Sequence, residues 1–126
     1  MKTWMSIAAG FTCACLVIVA VCLLITPSFA EEGAMSGDGY ITEFYMNASG
    51  NLLRVKFSLP IVNPGPCQNA EFYVAELDDT PGSTRFVAIL YSAYLEHKKI
   101  AFYINGCSKE QWWGATRPKL YDVYLR

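Results

Sequence analysis

Trp112 and Trp113 sit side by side in a polar stretch near the end of the chain, and they are its best-suited groups for holding a ligand. An indole offers a flat apolar face and one N–H donor, which suits stacking on the C–H surface of a sugar or anchoring a protein contact. The competing reading has one or both plugging the end of a core. Eight tyrosines, at 40, 45, 73, 91, 94, 103, 121 and 124, add amphipathic surface of the same kind. The preference of tyrosine for strands accounts for most of them.

Catalytic chemistry is poorly provided for. His97 is the single histidine, so any Ser–His or Cys–His nucleophile would depend on it alone. It stands at the end of a helical pattern beside Lys98 and Lys99, where positive groups favour the free carbonyls of a helix terminus. Asp78, Asp79 and Thr80 offer oxygen ligands for calcium, but an acidic turn ahead of a helix explains the same residues. Zinc would need more His and Cys than the chain offers after residue 30. The expectation is a binding protein with no catalytic residue, no metal and no cofactor.

Residues 1–30 have the three-part pattern of an export signal. Lys2 is followed by an uncharged apolar run over residues 7–25, then by Pro27 and by Ser28-Phe29-Ala30, with small residues where a signal peptidase inspects. An uncleaved anchor is the alternative, since the run approaches the roughly 20 residues that a spanning helix needs. Val21 ahead of Cys22 speaks against lipid attachment. Cleavage after Ala30 predicts a secreted or periplasmic protein with no stable membrane span. It also removes Cys13, Cys15 and Cys22, leaving Cys67 and Cys107 as an even pair for one disulfide. Such a bridge is worth about 4 kcal/mol in the chain-entropy picture, a large share of a small domain's stability. The formal net charge is −1 and becomes more negative without Lys2, so no nucleic-acid partner is expected.

Residues 31–38 are acidic and Gly-rich and read as a flexible leader, with the domain proper at 39–126. Period-two alternation predicts a first strand from Tyr40, closed by the turn Asn47-Ala48-Ser49-Gly50. The Asn-Ala-Ser triplet matches a glycosylation sequon, though turn chemistry explains it equally well. Leu53, Val55, Phe57 and Leu59 then alternate with Arg54, Lys56 and Ser58, a strand with one buried and one wet face. Residues 71–77 make a third strand. From residue 85 to 97 the period turns helical, with Ser83 or Thr84 as cap: Phe86, Ile89, Leu90, Ala93, Tyr94 and His97 fall at spacings of three and four. Strands at 100–104, ending in a turn at Asn105-Gly106, and at 119–125 complete the order β-β-β-α-β-β. That order predicts an all-β protein with one helix, a small five-stranded Greek-key barrel of the oligonucleotide/oligosaccharide-binding type. A helix on an open antiparallel sheet is the second choice.

Ile41-Thr42-Glu43-Phe44, Cys67, Ile89-Leu90-Tyr91-Ser92-Ala93-Tyr94 and residues 98–106 together resemble the subtilase cytotoxin B subunits, a family of pentameric toxin B subunits. The resemblance covers roughly residues 39–107. It implies a barrel that binds a cell-surface glycan or glycoprotein, assembles as a ring of five and delivers a catalytic A subunit. In that family a serine just before the first strand contacts sialic acid. Ser36 is the nearest candidate here, separated from the strand by Gly37-Asp38-Gly39. Ser36, Asp38, Trp112 and Trp113 are thus the glycan-binding candidates. Helices line the central pore in the family, which makes Tyr91 and Leu95, off the buried helix face, candidates for an oligomer interface. The alternative is a monomeric exported domain that binds a protein or inhibits an enzyme.

Overall fold

The computed structural model describes residues 33–126, so the export signal lies outside the described residues. The alternation at 53–57 becomes β3 (Leu52–Phe57), which pairs with β2 (Ile41–Met46) across a tight hairpin. Asn47 makes that hairpin: its Oδ1 accepts the backbone N–H groups of Asn51 and Leu52 at 3.1 and 3.2 Å. On its other side β3 pairs antiparallel with β4 (Tyr73–Glu76).

The helix α1 (Pro81–Leu95) follows, then β5 (Ile100–Cys107) and β6 (Pro118–Leu125), which form a long antiparallel pair. β4 and β6 meet in parallel through Val74 and Lys119. A short β1 (Ala34–Met35) pairs with the free side of β5. Among the described residues the sheet therefore has six strands in the order β1-β5-β6-β4-β3-β2.

Five of those strands and the helix stand where the sequence puts them. Closure does not. β1 and β2 are the two edges of an open sheet, although the chain passes directly from one to the other. The expected closed five-stranded barrel is corrected on both counts. Gly37, at φ +79°, breaks the first strand in two, so one part pairs with β5 and the other with β3. The crossing point is Gly39, which bridges Ile100. A Cβ there would lie 2.7 Å from the Ser58 hydroxyl and 2.9 Å from the Phe57 ring, so a larger residue would have to push those side chains aside.

The flexible leader is a second correction. Ala34, Met35, Ser36 and Gly39 all hydrogen-bond or pair with β5, and Ser36 is buried. Glycine here marks close packing rather than looseness.

The helix starts four residues earlier than its apolar period suggests. Thr80, not Ser83 or Thr84, is the cap: its side chain accepts the Ser83 N–H, and Pro81 takes the first helical turn, where its missing N–H costs nothing. The helix ends at Leu95, so His97 lies beyond it at φ +52° rather than in its last turn. Asn105-Gly106 is likewise not a turn. β5 runs through it as an irregularity, with Gly106 at φ +67°.

The core lies on the inner face of the sheet. Leu53, Val55, Phe57, Tyr73, Ile100, Phe102, Ile104 and Leu120 are buried there, and Leu90 and Ala93 of α1 pack against them. Tyr73 is fully buried, and its hydroxyl accepts the Val62 N–H at 3.0 Å. Burial raises its pKa despite that bond. Cys67 and Cys107 form the expected disulfide, tying the segment ahead of β4 to the end of β5 over a sequence separation of 40. Among the described residues no helix is long and apolar enough to cross a membrane.

Candidate ligand-binding surface

The outer face of β3 is not the wet face its alternation implies. Leu52 is buried with Phe72 and Val74 in a second apolar cluster, against which Trp112 packs. The cover is the β5–β6 loop, residues 108–117, which folds back over β3 and β4. Glu76, at the end of β4, anchors it. Its carboxylate accepts the Lys109 and Glu110 N–H groups at 3.0 and 2.9 Å and the Trp112 indole N–H at 3.1 Å. Burial raises the Glu76 pKa, but these donors and the nearby Lys119 outweigh it and hold the carboxyl below its usual range.

Arg117 secures the other end of the loop. It is buried, its guanidinium donates to the Trp112 and Trp113 carbonyls at 3.0 and 3.1 Å, and it lies 4.4 Å over the Phe72 ring. The loop tip is a tight turn: the Trp112 N–H donates to the Ala115 carbonyl, with Trp113 at φ +53° and Gly114 at φ +78° between them. A tryptophan in the left-handed region is uncommon, and such strain gathers at functional sites.

The result separates the two indoles. Trp112 faces inward against the cluster, while Trp113 is 49 % exposed. Arg54 projects from β3 beneath it. Its guanidinium carbon lies 4.7 Å from the Trp113 ring centre, 4.9 Å from Phe72 and 5.0 Å from Tyr45. Arg54 also pairs with Glu43, whose other oxygen takes Lys56 at 3.3 Å. Tyr45 meets Trp113 edge-on at 5.6 Å and is itself 38 % exposed. A cation over the face of an indole adds electrostatic attraction beyond burial. The surface is therefore a half-exposed aromatic shelf rimmed by Glu43 and Lys56. It can stack on a flat apolar face and offer hydrogen bonds at its edge.

The other candidates fall elsewhere. The Ser36 hydroxyl donates to the Gly37 carbonyl and accepts the Phe102 N–H, both at 2.8 Å, so its place in the fold is structural. Asp38 is exposed and pairs with Arg126 at 3.2 Å, just past the end of β6, whereas Trp112 and Trp113 precede its start. The four glycan-binding candidates thus form two groups at opposite ends of β6. Tyr91 and Leu95 are exposed on α1 at 48 % and 62 %, with Tyr91 leaning on Phe44 at 5.3 Å.

His97 stacks on Tyr40, ring centres 4.8 Å apart and nearly parallel. Asp78 serves the turn: it accepts the Thr80 N–H and the hydroxyls of Thr80 and Ser83, which hold its pKa at about 2.

Arg54, Phe72 and Arg117 are members of the surface that sequence reading misses. Arg54 sits at a regular outward position in an alternating strand, and nothing local reveals the loop that covers it. Comparison of the chain with protein-family models, with curated proteins and with solved structures finds no match.

Proposed function

We propose that this protein is an exported, non-enzymatic binding module that recognises a glycan through the Trp113 shelf. The observation that carries the reading is Trp113 itself: half exposed, in a left-handed turn, and backed by the Arg54 guanidinium. An exposed indole clustered with Tyr45, Phe72 and Arg54 is a contiguous aromatic patch of the kind that stacks on ligands.

Three further features support it. The strand sequence β2-β3-β4-β6-β5, with β4 and β6 parallel, is compatible with an opened relative of an oligosaccharide-binding barrel, a fold that takes ligands on the face of its second and third strands. Arg54 of the shelf stands on β3, the corresponding second strand. The disulfide suits an oxidising compartment, secreted or periplasmic, as the pattern of residues 1–30 also does. The likeness to toxin B subunits adds a cell-surface glycan or glycoprotein as the ligand class and a catalytic A subunit as a partner. That likeness rests on the short stretches quoted above, and its ring of five is a matter for mass measurement.

Screening the purified protein on a glycan array tests the reading. Binding that is lost in Trp113→Ala, with the fold retained by circular dichroism, supports it. No hit at high protein concentration overturns it. A protein ligand or an inhibited enzyme is the second reading, because Trp, Tyr and Arg on one patch are also the residues that dominate protein interfaces.

A further inference from the structure

Arg117 is a buried cation without a counter-charge. It is 3 % exposed, and among the described residues it forms no ion pair. Its Nη1 has no hydrogen-bond partner. Taking an unpaired charge out of water is expensive. An apolar side chain of similar length would fill the space beside Phe72 at lower cost, so stability does not explain the guanidinium.

What the guanidinium does is hold one backbone conformation. Nε and Nη2, on one edge of its planar fork, donate to the carbonyls of two successive residues, Trp112 at 3.0 Å and Trp113 at 3.1 Å. Successive carbonyls of a pleated, extended chain point to opposite sides and would not meet one fork. With Trp113 at φ +53° both do. That left-handed conformation is costly for a bulky residue, and the fork offsets the cost. The fork is itself fixed. Ser108 Oγ accepts the Arg117 N–H at 3.1 Å, the Ser108 N–H donates to the Arg117 carbonyl at 2.9 Å, and the guanidinium lies 4.4 Å over Phe72. Phe72 in turn meets the Trp113 ring edge-on at 5.3 Å.

We infer that Arg117 is the positioning residue of the Trp113 shelf: it sets the turn that holds the indole in its stacking orientation before a ligand arrives. The inference rests on the shelf being the binding surface. Arg117 touches no ligand, being buried, and acts through the backbone of the two tryptophans. An indole that is already ordered has less freedom to lose on binding, which is how preorganisation adds affinity. Lysine is no substitute, because an ammonium is a point charge without the planar fork.

Arg117→Met tests the assignment, since methionine keeps an apolar contact with Phe72 and removes both the fork and the unpaired charge. The two freed carbonyls, at the loop tip, can take water instead. A residue that merely holds the fold lowers the urea midpoint when it is removed. Here the midpoint should hold or rise. The near-ultraviolet circular dichroism of the tryptophans should weaken, and acrylamide should quench their fluorescence more readily, as Trp113 loosens. A glycan identified on the array should bind about tenfold more weakly, the loss that ordering Trp113 on contact imposes. Arg117→Lys, with the charge but no fork, should bind as weakly. A midpoint that falls in the methionine variant makes Arg117 a fold-holding residue and overturns the assignment. So does an unchanged tryptophan spectrum, or wild-type affinity in the lysine variant. The spectroscopic measurements need no ligand, so they decide on Arg117 even where the array finds no glycan and the binding reading falls.

Discussion

Two adjacent tryptophans with different surroundings should behave as different residues. Trp112 packs on Leu52, Phe72 and Val74 and donates to Glu76, so Trp112→Ala removes apolar contact and a charge-assisted hydrogen bond together. The expected cost is about 2–4 kcal/mol of unfolding free energy. Trp113→Ala gives up a half-exposed ring, and its cost should stay near 1 kcal/mol. Urea denaturation of the two variants distinguishes them, and only Trp113→Ala should abolish ligand binding while the protein stays folded. Equal destabilisation by the two would mean that the shelf is core. The sequence presents these indoles as a pair; the left-handed turn at Trp113 and Gly114 is what turns one inward and the other out.

At the scale of elements, the β5–β6 loop is held to β4 by one carboxylate. Its pH dependence follows from the direction of the Glu76 shift. The folded state holds Glu76 below its usual value of 4.5, so the contribution of the ionised form is complete above that value. It is lost as pH falls through the lower folded value. Acidification below 4.5, the ordinary value, should therefore begin to loosen residues 108–117 and shift tryptophan emission to the red before the rest of the molecule unfolds. Glu76→Gln should show the loosened spectrum at neutral pH and lose the acid transition. An unchanged acid transition in that variant would place the titrating group elsewhere.

The elements also show where sequence reading stops. The strand alternation at Leu53, Val55 and Phe57 is legible because burial repeats every two residues within one segment. The same alternation misassigns Arg54, since the loop that covers it comes from some sixty positions later in the chain. The helix is legible by period, yet its first turn is not: Pro81-Gly82-Ser83 looks like loop until Thr80 caps it.

For the whole molecule, the disulfide decides how well a domain this small holds together. Cys67–Cys107 closes a long loop between the segment ahead of β4 and the end of β5. Reduction, or Cys67→Ser with Cys107→Ser, should lower the unfolding free energy by about 4 kcal/mol, read as a shift in the urea midpoint. The packing beside it is tight as well. A Cβ on Gly65 would sit 3.0 Å from the Gly106 backbone and 3.2 Å from the Cys107 sulfur, so any other residue would force that backbone to give by a few tenths of an ångström.

By itself the sequence determined the order of five strands and one helix, the cysteine pairing and the stretch that carries the aromatic surface. Each is written in neighbouring residues, through periodicity, turn chemistry or the count of cysteines. The tertiary structure decided that residues 34–39 belong to the sheet, that the sheet stays open, and that Arg54, Tyr45 and Phe72 meet Trp113. Those outcomes depend on segments far apart in the chain meeting over one another, and no local pattern encodes what will cover an exposed position.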